Sequence, residues 1–353
     1  MPGTMKAIKI QELGKAAVVD APIPKLRPDR ALVKTAAVAL NPTDWKHIDF
    51  IPNAPGTTSG CDFAGVVQEV GENFTAAKKG DRIAGWTHGG NGDNDEDGSF
   101  AEYLVAKDGI FLRIPDSVSF EEAATLGVGI STIGQGLYQS LQLPLPSQPA
   151  KERFPLLIYG ASTATGALAV QFAKLSGLDV IATCSPRNFD LVKELGADAV
   201  FDYNSPTVGA DIRAHTGNKL YYAFDCIAEG NSAQICADAL STETAAQKPQ
   251  YSGLLWIEVP RSDIEARTTI GYTIFGESFT KAFGPGHFPA KQEDYEFGKS
   301  FWKLSEQLLA EGKFKVHRPD VRGGGLEGVL DGLNELRQGK VSGKKLVYKI
   351  ADA

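Results

Sequence analysis

The sequence has few cysteines, few histidines and no long apolar run. Its 353 residues include four cysteines and five histidines. The cysteines Cys61, Cys184, Cys226 and Cys236 are scattered, and no pair has the spacing of a metal site or of a disulfide framework. This usage fits a reducing compartment, and we expect a cytoplasmic protein.

Excess positive charge is also missing. The net charge is -7, which argues against a basic face that binds nucleic acid. No hydrophobic stretch reaches the length of a membrane span. The N-terminal segment MPGTMKAIKIQELGK contains no apolar core of a secretion signal. We therefore expect a protein that acts neither at a membrane nor on nucleic acid.

The first third of the chain has the pattern of short strands and turns. Segments such as ALVKTAAVAL and FAGVVQEVG are rich in small and β-branched residues and are bounded by turn residues. A helical pattern begins near Glu121, in EEAATLGVGISTIGQGLYQSL, and a proline-rich connection follows it. This order predicts a β-rich domain, followed by a domain of a different type.

Strands and helices then alternate along the chain. We predict helices over 165–176 and 188–196, and strands in LLIYG, DVIATC, AVFDY, YYAFDCI and YSGLLWI. Such alternation indicates a parallel sheet with helices on both faces. Beyond about Gly276 we expect a long loop, then a helix in EFGKSFWKLSEQLLAEG and a final strand in KKLVYKI.

The first strand–turn–helix of this series is similar to a dinucleotide-binding loop that lacks its middle glycine. Gly160 falls at the tight turn, Gly166 permits close packing of the helix, and Thr163 takes the central position. Small hydroxyl side chains can donate hydrogen bonds to phosphate oxygens, and a helix N-terminus favours an anion. The alternative is the same turn in an α/β domain that binds no cofactor.

The second strand of the series ends without the acidic residue that is typical of NAD enzymes. Ser185, Arg187 and Asn188 follow it instead. A guanidinium with two hydrogen-bonding neighbours suits a ribose 2′-phosphate. The alternative for Arg187 is a solvated loop residue. Together with the loop, this strand end favours NADP(H) over NAD(H).

Two longer segments resemble the N-terminal domain of the medium-chain dehydrogenase/reductase superfamily. They are CDFAGVVQEVGENFTAAKKGDRIAGW and GSFAEYLVAKDGIFLRIPDSVSFEEAATL. The resemblance implies an α/β fold with two domains. A GroES-like β-rich catalytic domain would cover 1–125 and be completed by 280–353, and a Rossmann domain with a doubly wound parallel sheet would bind NADP over 126–279.

Many members of that superfamily bind a catalytic zinc, and this sequence departs from their ligand set. Asn41 stands where the first cysteine is expected, and Cys61–Asp62 stands where a His–Glu pair is expected. The third position falls in GVGIST, which has no cysteine or histidine. A lone thiol cannot build a three-ligand site. We therefore expect no metal, and reduction of a conjugated double bond rather than oxidation of an alcohol.

Shorter motifs together resemble the fungal trans-acting enoyl reductases. They are NPTDWK, GISTIGQG, YGASTATGA, IATCSPRNFDL, TIFGE and SGKKLV. The resemblance implies a monomeric, NADPH-dependent enoyl reductase of secondary metabolism. Its substrate would be a polyketide acyl thioester on the acyl-carrier domain of a highly reducing polyketide synthase, or of a synthase–peptide synthetase hybrid. A stand-alone zinc-free quinone or enone oxidoreductase and a catalytically silent NADPH-binding protein are the alternatives.

The same resemblance implies the site residues. Lys46 and Thr132 would be catalytic, with a surface lysine and a helix-capping hydroxyl at Ser131 or Thr132 as the alternatives. The expected cofactor contacts are Thr43, Asp44, Trp45, Lys46, Gly160, Ser162, Thr163, Ala164, Thr165, Gly166, Ser185, Pro186, Arg187, Asn188, Tyr203, Leu254, Leu255, Val341 and Ser342. The expected substrate-lining residues are Gly129, Ile130, Ser131, Thr132, Ile133, Gly134, Gln135, Gly136, Thr273, Ile274, Phe275, Gly276 and Glu277.

Overall fold

The computed structural model describes residues 3–351, which divide into two compact units. The first unit contains the residues up to Ser131, Tyr272–Gly312 and the residues from Val316 onward. The second unit contains Thr132–Gly271 and Lys313–Lys315. The domain limits expected from the sequence remain a prediction.

The strands of the described residues are numbered in chain order. They are β1 (Thr4–Glu12), β2 (Lys15–Pro22), β3 (Arg30–Ala39), β4 (Asp62–Val70), β5 (Arg82–Trp86), β6 (Tyr103–Lys107), β7 (Phe111–Arg113), β8 (Pro155–Tyr159), β9 (Asp179–Cys184), β10 (Ala199–Asp202), β11 (Tyr222–Asp225), β12 (Gln250–Gly253), β13 (Glu265–Thr268), β14 (Phe279–Thr280), β15 (His287–Phe288), β16 (Pro319–Arg322) and β17 (Lys345–Lys349).

The helices connect these strands. They are α1 (Pro42–Phe50), α2 (Phe120–Ala123), α3 (Gly127–Ile133), α4 (Ala164–Leu175), α5 (Phe189–Glu194), α6 (Val208–His215), α7 (Ser232–Ala239), α8 (Gln292–Ala310) and α9 (Gly325–Arg337). A π-helical stretch covers Gly134–Ser140, and short 3₁₀ turns cover Pro186–Asn188 and Gly271–Phe275. Each of these helices is too short or too polar to span a bilayer.

The first unit is built around a largely antiparallel sheet. Its strand order is β16-β17-β3-β4-β5-β7, and β6 pairs with β3. The long strand β3 is buried along most of its length, and side chains such as Val33, Phe63 and Ile83 fill the core beside it. Because β17 pairs with β3, residues far apart in the chain complete one sheet.

The second unit contains a parallel sheet with the order β10-β9-β8-β11-β12-β13. Every pair of neighbouring strands in it is parallel. The central strand β8 is buried along almost its whole length, as expected for a strand with helices on both faces. The edge strand β13 is charged, and Glu265 and Arg267 form an ion pair on it. Charges of this kind discourage pairing with another sheet, although the expected monomer stays a prediction.

The helical pattern near Glu121 is divided in the structure. Helix α2 ends at Ala123, and α3 begins only at Gly127. The Asp62 carboxylate accepts a hydrogen bond from the Val128 N–H at 2.6 Å and so provides a new helix start. A Cβ at Gly127 would lie 2.3 Å from an Asp62 oxygen, so only glycine fits there.

Other boundaries also differ from the prediction. The strand expected in YSGLLWI ends at Gly253, because β13 pairs only with 250–253. The long loop expected after Gly276 contains the short pair β14 and β15, and α8 begins at Gln292, earlier than predicted. Helix α9 was not predicted. Its N-cap Gly324 and the glycines around it weakened the helical signal.

Candidate active site

The loop after β8 has the backbone geometry of a phosphate-binding turn. Gly160 adopts φ +78°, which favours glycine. A Cβ on Gly166 would lie 2.3 Å from the Gly160 carbonyl oxygen, so the start of α4 lies directly against the loop. The N–H groups at the start of a helix lack partners within the helix, and those that no capping side chain takes can bind an anion.

Thr163, which stands in place of the middle glycine, bonds within the loop rather than pointing a free hydroxyl at a ligand. Its hydroxyl accepts a hydrogen bond from the Gly166 N–H at 3.0 Å and donates one to the Gly160 carbonyl at 2.8 Å. Thr163 is therefore the N-cap of α4, and its hydroxyl is already used within the loop. The neighbouring hydroxyls of Ser162 and Thr165 are half-buried, and they flank the same turn with Ala164.

The remaining expected cofactor residues of the second unit follow the carboxyl ends of neighbouring strands. Ser185 follows β9, Tyr203 follows β10, and Leu254 and Leu255 follow β12. These strands are parallel and in register with β8 or its neighbours, so their ends meet at one edge of the sheet. That edge is where α/β sheets bind ligands.

The segment after β9 presents a cation at this edge. Pro186 and Arg187 are exposed, and Asn188 is buried with its amide 3.4 Å from the Ser185 hydroxyl. The turn geometry, the close approach at Gly166 and the exposed guanidinium together fit a nicotinamide dinucleotide. Within the second unit, the structure brings the expected cofactor residues together.

Helix α1 carries the expected contacts of the first unit. Pro42 occupies its first turn, and the Asp44 carboxylate accepts a hydrogen bond from the Asn41 N–H at 2.7 Å. Burial raises the pKa of Asp44 to about 7, and the nearby charge of Asp62 adds to this. Trp45 and Lys46 are half-buried, and the Lys46 ammonium lies 5.7 Å from the centre of the Trp45 ring.

Two residues at the expected zinc-ligand positions bind a lysine. The Lys345 ammonium lies 2.5 Å from an Asp62 oxygen and 3.0 Å from the Asn41 Oδ1. It also donates to the Thr125 carbonyl at 3.2 Å. Both charged side chains are almost completely buried. Among residues 3–351, no three His, Cys, Asp or Glu side chains are arranged to hold a metal ion, and the expected absence of a metal stays a prediction.

A second buried polar cluster extends from the same helix. The Thr43 hydroxyl lies 2.8 Å from the Tyr272 hydroxyl, and His47 Nδ1 lies 2.7 Å from the Thr43 carbonyl oxygen. His47 Nε2 lies 2.8 Å from the ammonium of Lys281, which is fully buried. The sequence analysis missed these partners. The spacing of Thr43 and His47 places them on one helix face, but no local pattern indicates Lys281, Tyr272 or Lys345.

The expected substrate-lining residues differ in burial and in their hydrogen-bond partners. Ser131 is fully buried and accepts a hydrogen bond from the Trp302 indole N–H at 3.0 Å, whereas Thr132 is half-buried. Neither starts a helix, because α3 begins at Gly127. Glu277 forms ion pairs with Arg30 and Lys107.

The other members of that set are mostly enclosed. The remaining positions of 129–136 are buried, and a Cβ on Gly136 would meet the Phe224 ring at 2.3 Å. Thr273, Ile274 and Phe275 are buried, and the Thr273 hydroxyl donates to the Asp294 carboxylate. Their roles toward a substrate stay predictions.

Val341 and Ser342 are the last of the expected cofactor contacts along the chain. Both belong to the first unit, in the segment between α9 and β17. Val341 packs against the apolar cluster that contains Ile8, Leu40 and Ile48, and Ser342 is exposed. Their contact with a cofactor stays a prediction.

Comparison with known proteins gives two family matches. Residues 27–116 match the alcohol dehydrogenase GroES-like domain, and residues 164–243 match the zinc-binding dehydrogenase family. A crystal structure of an alcohol dehydrogenase superfamily protein from Novosphingobium aromaticivorans has a TM-score of 0.81 at 20% identity, and covers 98% of this chain and 100% of that one. The predicted α/β fold, with a GroES-like domain and a Rossmann-type parallel sheet, is confirmed.

Two proteins are similar over almost the whole chain. The trans-enoyl reductase ACTTS2 of Alternaria alternata is 49% identical over 350 residues, which are 98% of this chain and 99% of that protein. The trans-enoyl reductase resD of Aspergillus sclerotiorum is 48% identical over 365 residues, which cover 98% of this chain and 100% of that protein.

The buried Lys345–Asp62 pair gives a testable prediction for stability. Lys345→Met leaves the Asp62 carboxylate buried without its cation, and should lower the free energy of unfolding by about 3–5 kcal/mol. Lys345→Met combined with Asp62→Asn should recover part of this loss, because no net charge is then buried. Urea denaturation of the three proteins measures the effect.

The matched control is the exposed pair of Lys6 and Asp20, whose side chains are 53% and 72% accessible. Lys6→Met should change stability little, because exposed ion pairs contribute little. A Lys345→Met protein as stable as Lys6→Met would contradict the importance of the buried pair.

Proposed function

The chain belongs to the family of the fungal trans-enoyl reductases, as its motifs predicted, and from this premise we propose that it is an NADPH-dependent, trans-acting enoyl reductase. Its substrate is an α,β-unsaturated acyl thioester on the acyl-carrier domain of a partner polyketide synthase, or of a synthase–peptide synthetase hybrid. The observation that carries the proposal is the similarity of the whole chain to proteins named for this activity. The anion-binding edge of the parallel sheet supports it.

The cofactor part of the proposal depends on the strand ends of the second unit. The turn from Gly160 to Gly166 holds the pyrophosphate through backbone N–H groups, and Ser162 and Thr165 add hydroxyls. Arg187 and Ser185 hold the 2′-phosphate. NADPH, when bound, supplies the hydride that adds to Cβ of the acyl chain.

The chain's own residues then have to stabilise negative charge on the substrate. Addition at Cβ places charge on the thioester oxygen, where an enolate forms. The candidates for a donor to this oxygen are the Lys46 ammonium and the Thr132 hydroxyl. A positioned donor of this kind acts mainly in the transition state. The enolate is then protonated at Cα, which completes the reduction.

The reaction itself can be tested with simple substrates. We expect the purified protein to oxidise NADPH in the presence of a crotonyl or longer enoyl thioester, and carrier-bound thioesters should react faster than free ones. Absorbance at the NADPH band and mass spectrometry of the product measure this. Turnover of small quinones far above that of any thioester would favour a quinone reductase, and no turnover of either would indicate a silent NADPH-binding protein.

Arg187 should set the choice of cofactor. Arg187→Ala should weaken NADPH binding by about 1.5–3 kcal/mol, the scale of a hydrogen bond to a charged group, and leave NADH binding little changed. Arg187→Lys should recover only part, because an ammonium cannot form the paired guanidinium contacts. Titration calorimetry with both cofactors measures these values. Equal affinities of the unaltered protein for NADH and NADPH would contradict the 2′-phosphate site.

Lys46 should affect chemistry more than binding. Lys46→Ala should lower kcat on the order of 10²–10³-fold, as expected for loss of a transition-state donor, and should change the Kd of NADPH little. Lys46→Arg should restore a fraction of kcat, because the planar guanidinium places its charge differently.

The matched control for this prediction is Lys79→Ala, at an exposed lysine of the same unit. It should have the kcat of the unaltered enzyme. A Lys46→Ala protein with unchanged kcat would return Lys46 to the role of an ordinary surface lysine.

A further inference from the structure

Lys281 is a buried cation that lacks a carboxylate partner among residues 3–351. Its side chain has no solvent-accessible surface. Its ammonium donates to the Gly90 carbonyl at 2.9 Å, contacts His47 at 2.8 Å, and lies 5.0 Å from the centre of the Tyr272 ring. Burying an ammonium with only neutral partners is unfavourable. A methionine would fill the same space without that penalty, so a purely packing role explains this lysine poorly.

A chain of hydrogen bonds leads from Lys281 to the surface of the first unit. The Thr43 carbonyl can only accept, so His47 Nδ1 carries the imidazole proton and Nε2 accepts from Lys281. The same Nδ1 atom lies 3.2 Å from the Thr43 hydroxyl oxygen. Lys281 and His47 are buried, and Thr43 is half-exposed. Of these three residues, Thr43 is therefore the one whose hydroxyl solvent or a ligand can reach. Its oxygen lies 2.8 Å from the Tyr272 hydroxyl oxygen.

The electrostatics of the cluster suit a proton source. Burial lowers the pKa of Lys281 to about 7, while the nearby Cys61 and Asp93 act in the opposite direction. His88 also faces Lys281, and burial lowers the pKa of His88. A donor with a pKa near the working pH gives up its proton readily and is reloaded readily.

His47 behaves differently from Lys281. Burial, with the charge of Lys281, lowers the pKa of His47 to about 3. The imidazole therefore does not store a second proton, and it accepts one at Nε2 only as it gives one up at Nδ1. His47 therefore relays the proton between Lys281 and Thr43 and does not hold an extra proton itself.

We propose that Lys281, through His47 and Thr43, supplies the proton that the enolate receives at Cα. The inference rests on the proposed function, because the enolate is the product of enoyl reduction and Thr43 is an expected neighbour of the cofactor. Thr43 is the catalytic residue of this set, since it is the one that would meet the substrate. His47 and Lys281 act through it.

The proton balance of the step is simple. The Thr43 O–H bond breaks as the C–H bond at Cα forms, and the enolate becomes the saturated thioester. Thr43 takes the Nδ1 proton of His47, and His47 Nε2 takes a proton from Lys281. Lys281 is left as a neutral amine. Because Lys281 is closed to solvent, it regains its proton along the same chain, from water at Thr43, after the product leaves.

A second buried group could supply the proton instead. Asp44 also has a pKa raised to about 7 by burial, and Cys61 affects the pKa of both Asp44 and Tyr272. We favour Lys281, because the distances that define its path to Thr43 are all those of hydrogen bonds. Variants of Lys281 and Asp44 separate the two sources.

The test uses the full-length protein, NADPH and an enoyl thioester that the unaltered enzyme reduces. Lys281 must be an ammonium to donate, so kcat of the unaltered enzyme should fall as pH rises through about 7. Lys281→Met should lower kcat about 10²-fold and lose this pH dependence, with KM and the Kd of NADPH little changed. Thr43→Val should lower kcat and lose the pH dependence in the same way. The double variant should be no slower than either single variant, because both substitutions interrupt the same hydrogen-bond path.

Several results would overturn the proposal. A folded Lys281→Met protein with the kcat and pH profile of the unaltered enzyme would do so, as would loss of the pH dependence in Asp44→Asn but not in Lys281→Met. Additive losses in the double variant would also contradict a shared chain. If Lys281→Met does not fold, Thr43→Val and His47→Gln are judged by the same criteria. Lys303→Met, at an exposed lysine on α8, is the matched control and should have unchanged activity.

A measurement without turnover separates this inference from the proposed function. Lysine side chains labelled with ¹³C at Cε should show one signal in the free protein that titrates near pH 7 and is absent from Lys281→Met. A Lys281 signal that titrates near 10.5 would exclude the proton source even if the enzyme reduces thioesters. A protein that reduces no enoyl thioester but shows a lysine titrating near pH 7 would contradict the proposed function. The enolate could then not be the acceptor of the Lys281 proton.

Discussion

The buried ion pair of Lys345 and Asp62 is the interaction on which the first unit depends. It joins β17 to β4 across β3, and its carboxylate also provides the N-terminal contact of α3 at Val128. One pair thus fixes three elements that are remote in sequence. Because both charges are shielded from water, neither partner can be removed without leaving the other uncompensated. The geometry around Asn41, at the start of α1, follows from the same contact.

The first unit contains a second buried ammonium in a different environment. Lys345 has a carboxylate and an amide oxygen as partners, whereas Lys281 has an imidazole and a carbonyl. The partners of Lys345 stabilise its ammonium, whereas the partners of Lys281 allow its ammonium to lose a proton more readily. Helix α1 lies next to both, since Asn41 precedes it and His47 lies in it. A short helix thereby connects a structural cation to one suited to proton transfer.

Much of the fold could be predicted from local pattern, and the site only in part. Alternation of strands and helices over 156–227 gave the parallel sheet, because each element satisfies its own periodicity. Gly160 and Gly166 signalled the turn, since their roles depend on backbone shape alone. The use of the Thr163 hydroxyl as a helix cap, the break before Gly127 and the partners of Lys281 depend on contacts in three dimensions. No sequence period reports such contacts.

The way β17 completes the sheet of the first unit has a consequence for synthesis on the ribosome. Lys345 and Asn41 are 304 positions apart, and Arg30 and Glu277 are 247 apart. The second unit, by contrast, is almost continuous in sequence. During synthesis, the parallel sheet of the second unit can therefore form before β17 is available to pair with β3. During that interval β3 has an open edge of the kind that other strands pair with, until β17 pairs with it.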